Sequence, residues 1–250
     1  MTKKLVIGYF YPHLLNLYGD TGNVEILVAR AKARNIDVEV LAITPDVLLE
    51  PEMCGAVNLV FMGGGPDVSQ KKMYEDLIHH KGDFLRDYIV AGGVGLYICG
   101  SYQLLGHYYK SSDGDVLEGL GIFDLYTEHF GPRKPRCIGN VVAELLGDLS
   151  NGFAFSTLVG FENHGGRTFL GSTAQPFGKI KMGYGNNGQD GTEGVLYKNS
   201  IGTYLHGPLL AKNPHIADYL IAKSLELTKL ASLDDSLILS AHTASKNLKQ

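Results

Sequence analysis

A cysteine on a predicted strand–turn–helix junction is the residue best placed to act as a nucleophile. The apolar run Val94–Ile98 predicts a short buried strand, Cys99 follows it on a tight turn, and the pattern then becomes helical. A thiol at the start of a helix lies at the positive end of the helix dipole, which favours the reactive thiolate. Gly100 and Ser101 place no bulky side chain beside the sulfur, so the Gly100 N–H can receive a developing oxyanion. The segment therefore predicts covalent catalysis at Cys99.

A histidine far along the chain could serve as the base that such a cysteine needs. Ile201–Leu205 predicts a strand that delivers His206 into a Gly-Pro turn. A catalytic cysteine and its base come together in space rather than in sequence. Two structural interpretations stay open. Cys99 can be a small buried residue, since free cysteines are commonly buried and the G-x-S-x-G spacing of hydrolase elbows is absent. His206 can be a structural residue at a strand end.

A triple glycine ends another predicted strand. Gly63–Gly65 follows the apolar run Val57–Met62 and precedes Pro66. The segment has neither G-x-x-x-x-G-K-[ST] nor G-x-G-x-x-G spacing, so it gives little support to a phosphate site. It is either a tight turn or a second strand end that supplies an oxyanion N–H, for which Gly65 is the candidate.

The elements that must position these motifs alternate between strands and helices over the first hundred residues. Helices separate four predicted strands, which are Leu5–Phe10, Asp37–Ile43, Val57–Met62 and Val94–Ile98. Asp20 or Thr21 is the expected N-cap of the first helix. The order predicts an α/β fold of three layers, αβα, with a mostly parallel central sheet. Ligands of such sheets bind beyond the carboxyl ends of the strands, where both Gly65 and Cys99 lie.

The rest of the chain shows a different pattern. From about Val116 short strands and turns are predicted, and a closing helix covers Asn213–Leu230. The segment Glu162–Arg167 is denser in polar groups than a plain turn requires, and it is either a site loop or a hydrogen-bonded turn. No linker or repeat divides the sequence, so we expect a single domain over residues 1–250 whose last dozen residues fray.

Composition argues against several classes of function. The net charge is −4 without a dense run of Lys or Arg, so neither nucleic-acid nor anionic-membrane binding is supported. No segment approaches the ~20 apolar residues of a membrane span, and Met1–Phe10 lacks the length and cleavage site of a signal peptide. Three cysteines without paired spacing fit a reducing compartment, so we expect a cytoplasmic protein. The nine histidines show no metal-ligand spacing, so no metal site is predicted.

Several motifs in order make the chain similar to class I glutamine amidotransferases. They are Cys-Gly-Ser-Tyr-Gln at 99–103, the triple glycine at 63–65, Gly-Phe-Glu-Asn-His-Gly-Gly-Arg at 160–167 and Tyr-Leu-His-Gly at 204–207. The chain resembles the cobyric-acid-synthase-like branch most. Within that branch, segments 16–23, 162–167, 183–187 and 202–208 look like those of the glutaminase subunits of lipid II isoglutaminyl synthases.

This resemblance implies a glutaminase with a Cys-His mechanism. Cys99 would be the nucleophile. His206 would be its base and then the acid for the leaving ammonia. N–H groups of Gly65 and Gly100 would form the oxyanion hole.

The resemblance also implies a substrate site and a partner. Arg136 matches the family position at which an arginine clamps glutamine, and Gln103 would take part in substrate binding. The ammonia would pass to a Mur-ligase-like subunit of the MurT type, in a heterodimer. That partner would amidate the D-glutamate of the lipid II stem peptide to D-isoglutamine. ATP and Mg²⁺ are expected on the partner and no cofactor in this chain, where no nucleotide-binding motif is visible.

Two positions depart from the family pattern. Ser101 stands where many class I amidotransferases have glycine, and Pro208 where most carry the glutamate that orients the catalytic histidine. An imidazole without an orienting acceptor can adopt the wrong tautomer. We therefore expect a carboxylate of the partner subunit to complete the site, with an internal carboxylate from another loop as the alternative.

Three other functions stay open. The chain could be a stand-alone cysteine hydrolase, an amidotransferase subunit for another acceptor such as a cobyric-acid-type substrate, or an inactive binding subunit in which Cys99 is merely buried. A site cysteine should be alkylated faster near neutral pH than Cys54 and Cys137, whereas a core cysteine should hardly react.

Overall fold

The computed structural model describes residues 3–146 and 155–248, so both ends of the predicted 1–250 domain extend beyond the described residues. The strands are β1 (Lys4–Phe10), β2 (Asp37–Ile43), β3 (Leu59–Met62), β4 (Val94–Ile98), β5 (Tyr108–Lys110), β6 (Val116–Glu118), β7 (Leu125–His129), β8 (Cys137–Leu145), β9 (Thr157–His164), β10 (Gly166–Leu170), β11 (Gly178–Met182), β12 (Thr192–Glu193), β13 (Val195–Tyr197) and β14 (Ser200–Thr203). The α helices are α1 (Thr21–Lys32), α2 (Pro51–Ala56), α3 (Asp67–Asp76), α4 (Gly82–Val90), α5 (Gly100–Leu104), α6 (Pro214–Ser224) and α7 (Ser236–Lys246). Within the described ranges, no helix combines the length and the apolar character that crossing a membrane requires.

A six-stranded sheet positions the predicted site. Its order is β13-β14-β4-β3-β1-β2, and every neighbouring pair is parallel except β13 and β14. Strands β3 and β4 are buried at every residue, and β1 at every residue except the first. Strands buried along their whole length need cover on both faces of the sheet. The predicted α/β fold with a mostly parallel central sheet is confirmed.

Helices α1 and α6 pack against each other on this sheet, α1 beside β1 and β2 and α6 beside β3 and β4. Arg30 of α1 donates to both carboxylate oxygens of Asp218 in α6 and to both of Asp235, at 2.6–2.8 Å. Arg34 adds a contact of 2.6 Å to Asp218. These four residues, called the Arg30 cluster below, fasten the C-terminal part of the chain to α1.

Two four-stranded sheets follow in the second half, of order β10-β7-β5-β6 and β12-β11-β8-β9. The second of them reaches the site through β9, because Phe161 and His206 exchange backbone hydrogen bonds of 2.8 and 3.3 Å. The first contributes the paired hydroxyls of Thr127 and Thr168, 2.7 Å apart. Both sheets therefore border the carboxyl ends of the central strands.

The C-terminal region differs from the sequence prediction. The closing helix ends at Ser224 instead of about Leu230, because Glu226 adopts a φ of 50° and the Leu227 N–H turns back to the Ala222 carbonyl. The last dozen residues do not fray as a whole, because α7 runs to Lys246. Its His242 is buried and bonds Thr157 and the Lys212 carbonyl. Residues 249 and 250 lie outside the described residues.

Candidate active site

Cys99 stands on a sharp turn between β4 and α5. Its backbone has φ 52° and ψ −104°, a conformation that costs a residue with a side chain about 1–3 kcal/mol. The neighbouring strand end holds the turn, since the Cys99 N–H donates to the Thr203 carbonyl at 2.8 Å. The Ser101 hydroxyl reaches back to the Met62 and Ile98 carbonyls at 2.9 and 3.0 Å. Ser101 thus stabilises the turn from β4 through Cys99 into α5, called the elbow below. Its hydroxyl is bonded to these carbonyls and not to the sulfur.

His206 is brought to this elbow by the sheet. Strand β14 lies beside β4, and His206 follows it by three residues, so both residues emerge at the same edge. A side chain at Gly64 would meet both at once, with its Cβ 2.9 Å from His206 Cε1 and 3.0 Å from Cys99 Cβ. The structure therefore brings the two predicted catalytic residues together across one glycine.

Asp20 orients the histidine. Its Oδ1 lies 3.2 Å from His206 Nδ1, and both side chains are fully buried. Its Oδ2 accepts the Gly64 N–H at 2.6 Å. The Asp20 side chain does not cap α1, as the sequence suggested, because both of its oxygens are used in the site. This contact supports the internal alternative, in which a carboxylate from another loop of this chain orients His206, and the source of the orienting carboxylate stays a prediction.

Pro208 packs the turn after His206 against the start of α1. Its ring occupies the space beside Gly22, where a Cβ would be 2.3 Å from Pro208 Cγ. The Leu210 N–H also donates to the Asn23 side chain at 2.9 Å. The turn after His206 therefore packs on the first turn of α1, which places Asp20 against the imidazole. Nothing in the sequence pattern around His206 signals this long-range contact.

The electrostatics of this group favour a charged histidine. Burial would lower the pKa of His206, but the Asp20 carboxylate and the nearby Cys99 sulfur outweigh burial and raise the pKa to about 10. His206 Nε2 is buried, and among the described residues it has no hydrogen-bond partner. His206 Cε1, which is bonded to this nitrogen, and Cys99 Cβ, which is bonded to the sulfur, both lie beside Gly64. An imidazolium beside a cysteine favours the nucleophilic thiolate.

The amide groups around the elbow suit a developing negative charge. In the described part of the chain, the N–H groups of Gly65, Gly100 and Ser101 donate no hydrogen bond. The Gly64 N–H is already occupied by Asp20, which leaves Gly65 as the free donor at the end of β3. These positions support the predicted oxyanion role of Gly65 and Gly100, which stays a prediction.

Arg136 lies at the exposed rim of the site. Its guanidinium donates to the side chain and the backbone carbonyl of Asn163 at 2.8 and 2.9 Å. Asn163 in turn donates to the Tyr18 hydroxyl at 2.6 Å, and the Tyr18 ring packs edge-on against His206 with centroids 4.9 Å apart. A short chain of contacts thus links Arg136 to His206, and the predicted role of Arg136 as a substrate clamp stays a prediction.

Gln103 is buried within a polar network behind the elbow. Its amide donates to the Tyr204 hydroxyl at 3.0 Å, and its oxygen faces the Gln70 amide at 3.5 Å. Gln70 also contacts the elbow, because a Cβ at Gly100 would lie 2.7 Å from its Nε2. Gln103 therefore holds the side chains of Tyr204 and Gln70 in place, and its predicted substrate-binding role stays a prediction.

Further buried acids hold the surrounding backbone. Glu162, in the polar segment left open by the sequence, accepts the Tyr184 and Gly185 N–H groups at 2.6 and 2.9 Å. Glu193 accepts the Tyr204 N–H at 2.9 Å and the Thr203 hydroxyl, and burial raises the pKa of its carboxyl to about 7. Both carboxylates are engaged with backbone. Across the described ranges there is no group of three His, Cys, Asp or Glu side chains that could hold a metal ion.

Sequence comparison with known proteins gives matches over most of the chain. The sequence model of the CobB/CobQ-like glutamine amidotransferase domain matches residues 6–214. The GatD subunit of the glutamine-hydrolysing lipid II isoglutaminyl synthase of Staphylococcus aureus is 44% identical over 223 residues, which are 89% of this chain and 85% of that protein. The GatD subunit of Streptococcus pneumoniae is 36% identical, over 89% and 81%. A probable cobyric acid synthase of Methanocaldococcus jannaschii is 32% identical over 72% of this chain, but over only 33% of its own length.

Solved structures give the same fold at low identity. A glutamine amidotransferase from Thermotoga maritima matches 97% of this chain and 93% of its own, with a TM-score of 0.55 and 17% identity. The glutaminase domain of CTPS from Trypanosoma brucei, solved with bound acivicin, matches 91% and 96% with a TM-score of 0.57 and 8% identity. At these identities the match shows the fold alone.

Proposed function

Since the chain belongs to the CobB/CobQ-like glutamine amidotransferase family, we propose that it is the glutaminase subunit of a lipid II isoglutaminyl synthase. It hydrolyses L-glutamine and delivers ammonia to a Mur-ligase-like subunit of the MurT type. That partner binds ATP and Mg²⁺ and amidates the D-glutamate of the lipid II stem peptide to D-isoglutamine. The observation that carries the proposal is the 44% identity to a GatD subunit over 85% of its length. An ATP-dependent reaction and three free cysteines favour the cytoplasm as the site of action.

The first half of the reaction releases ammonia. The proton of the resting pair resides on His206, and Cys99 attacks the side-chain amide carbon of glutamine as the thiolate. The carbonyl oxygen becomes an oxyanion, which the N–H groups of Gly65 and Gly100 stabilise. His206 then gives its proton to the departing nitrogen. The carbon–nitrogen bond breaks, ammonia leaves, and a thioester links Cys99 to the glutamyl group.

The second half restores the enzyme. The neutral His206 takes a proton from water, the resulting hydroxide attacks the thioester, and glutamate leaves with Cys99 again a thiolate. Asp20 keeps Nδ1 protonated in both halves, so that Nε2 is the nitrogen that exchanges the proton. Arg136 binds the α-carboxylate of glutamine through two parallel hydrogen bonds. Free ammonia is protonated in neutral water, which explains the need for a docked acceptor subunit.

A reconstituted complex tests this function. The chain and its Mur-ligase-like partner are mixed with ATP, lipid II and glutamine labelled with ¹⁵N in the side-chain amide, and lipid II is followed by mass spectrometry. We expect labelled D-isoglutamine from the wild type. Cys99→Ala should lower glutamine-dependent amidation by about 10³-fold or more and abolish labelling by 6-diazo-5-oxo-L-norleucine. Ammonium chloride should restore amidation in this variant, because the ligase subunit is intact.

Cys54→Ala is the matched control. Cys54 is a half-buried cysteine in α2, so its loss should leave amidation unchanged. Retained labelling of Cys99→Ala would refute the nucleophile. Full glutamine hydrolysis without any transfer to lipid II would favour the stand-alone hydrolase, and transfer to a cobyric-acid-type acceptor would favour the other amidotransferase class.

A further inference from the structure

The α-ammonium group of glutamine has no assigned partner in the mechanism above. Cys99 takes the amide carbon and Arg136 takes the α-carboxylate, but glutamine is a zwitterion. A buried or half-buried ammonium needs a carboxylate or several carbonyls near it. By standard bond lengths, the α-nitrogen of an extended glutamine lies about 5 Å from the amide carbon. An acid that receives it must therefore stand at the rim, one side chain away from the sulfur.

Asp67 occupies such a position. It is the first residue of α3, directly after the glycine strand end and Pro66. Gln70 follows three residues later on the same face of the helix. That residue donates to the Gly65 carbonyl at 3.1 Å and lies against Gly100. Gln70 touches the elbow, and Asp67 stands one helical turn away from it and is half-buried.

Tyr109 connects this carboxylate to the reacting sulfur. Its hydroxyl donates to Asp67 Oδ1 at 3.0 Å, and its side chain is 2% exposed. Burial raises the pKa of Tyr109, the Asp67 carboxylate raises it further, and Cys99 is among the groups that add to the shift. The phenol thus holds the carboxylate by a direct hydrogen bond, and its own pKa responds to the charges of both Asp67 and Cys99. Among the described residues Asp67 Oδ2 accepts no hydrogen bond, so one oxygen is free for a ligand.

His129 lies close to the positively charged Arg136 at the rim of the site. Burial lowers the pKa of His129. The Asp67 carboxylate opposes this shift, and the guanidinium groups of Arg136 and Arg167 add to it. A Cβ at Gly165 would lie 2.2 Å from His129 Nε2 and 3.3 Å from an Arg136 nitrogen, so histidine and arginine are close neighbours. The rim therefore presents a carboxylate and guanidinium groups around one histidine, which complements a zwitterion.

We propose that Asp67 accepts the α-ammonium group of glutamine and thereby sets the preference of the site for an α-amino acid. This inference rests on the proposed glutaminase function. Asp20 and Glu162 are fully buried with both carboxylate oxygens bonded. Glu193 is also fully buried, so its Oε2, which has no partner among the described residues, does not reach the rim where the α-ammonium group would lie. In this arrangement Asp67 receives the α-ammonium group and Arg136 the α-carboxylate, and a substrate that lacks either charge leaves one of the two side chains without its partner.

The test compares two substrates in the reconstituted complex. L-glutamine and glutaramate share the amide and the carboxylate, and glutaramate lacks only the α-ammonium group. We expect the wild type to prefer glutamine by about 10- to 100-fold in kcat/KM, the effect of one charge-assisted hydrogen bond. Asp67→Asn should reduce this preference to about threefold or less. The loss should arise from a higher KM for glutamine, with glutaramate hydrolysis within about twofold of the wild type.

Two further variants keep the test specific. Asp113→Asn removes the same charge from another acid near His129, but Asp113 stands on the exposed turn between β5 and β6, so the preference should persist. Tyr109→Phe retains the carboxylate and should keep most of the preference. Thermal unfolding and alkylation of Cys99 by iodoacetamide show that each variant is folded with a reactive thiol.

Two results would overturn the inference. The first is an Asp67→Asn variant that loses both substrates equally, which indicates a structural role at the start of α3. The second is an unchanged preference. A wild type that releases no ammonia from glutamine would instead refute the proposed function, and the inference with it.

Discussion

The Arg30 cluster between α1 and α6 contrasts with the candidate catalytic group of Asp20, Cys99 and His206 at the carboxyl ends of the central strands. In the Arg30 cluster every carboxylate oxygen faces a guanidinium at 2.6–2.8 Å. In the catalytic group His206 Nε2 has no hydrogen-bond partner among the described residues, and Cys99 has a strained backbone. Satisfied charges stabilise a fold, whereas unsatisfied ones are available to a substrate. The two groups should therefore respond differently to the same substitution.

Of the substitutions considered, Asp20→Asn should have the largest effect on glutamine hydrolysis. An amide at this position no longer fixes the tautomer of His206, and the loss of such a charge costs about 10⁴ in turnover in a serine protease. We expect glutamine hydrolysis to fall by about 10²- to 10⁴-fold. The measurement is ammonia release by the chain with and without its ligase subunit. A change within about threefold in the complex would show that the partner supplies the orienting carboxylate.

Arg136→Ala should have the next largest effect. Without the guanidinium the α-carboxylate of glutamine loses two charge-assisted hydrogen bonds, so KM should rise by about 10- to 100-fold. Alkylation of Cys99 by iodoacetamide, a small neutral reagent, should keep its rate. Arg133→Ala is the control, since Arg133 is an exposed arginine on the same loop. Equal kinetics for both variants would reduce Arg136 to an ordinary surface residue.

The pH dependence of His206 sharpens the comparison further. Its pKa is raised to about 10, so its proton stabilises the fold below the ordinary pKa of 6.5, and this stabilisation is lost as the pH rises from 6.5 to 10. NMR titration of the His206 ring in the wild type should show the imidazolium persisting to about pH 10. In Cys99→Ala the midpoint should move down, because the sulfur is one of the groups that raise it. An identical midpoint in both proteins would mean that the two side chains do not interact.

Asp218→Asn should have the smallest effect on catalysis and a clear effect on stability. The substitution leaves Arg30 and Arg34 with fewer acceptors, and Asp218 is 28% exposed, so water offsets part of the loss. We expect a loss of about 1–3 kcal/mol in the free energy of unfolding, at unchanged kcat for glutamine. Chemical denaturation and ammonia release measure the two quantities. A loss of kcat comparable to that of Asp20→Asn would end the distinction between the two groups.

The sequence predicts those parts of the site that depend on local pattern. Cys99 was identified because a buried strand, a turn and small residues are adjacent in the chain, and His206 because a strand ends in a Gly-Pro turn. Asp20 was missed as a site residue because its role depends on where the loop after β1 meets the turn at Pro208, a contact between segments almost two hundred residues apart. Asp67 carried no signal either, since an acid at a helix start is usual.

The same distinction applies to the fold. The apolar pattern predicts the parallel strands β1–β4 to within two residues. Strands β1, β3 and β4 are buried almost throughout and leave continuous apolar runs, whereas the largely exposed β2 is predicted from alternation. The end of α6 was predicted too late, because a glutamate, Glu226, adopts the left-handed conformation that a glycine would have signalled. The order of α7 could not be predicted, since it depends on Asp235 meeting Arg30 across the molecule.

The pairing of β14 with β4 determines when the enzyme becomes competent during its synthesis. Cys99 depends on the Thr203 carbonyl to hold its turn, and roughly a hundred residues separate the two strands. A ribosome adds about 5–20 residues per second, so β4 keeps an open edge for about 5–20 s after it emerges. An unpaired strand edge of this kind is a site at which nascent chains can aggregate. Cys99 and His206 come together only after most of the polypeptide has been made, so truncated products of translation lack this arrangement.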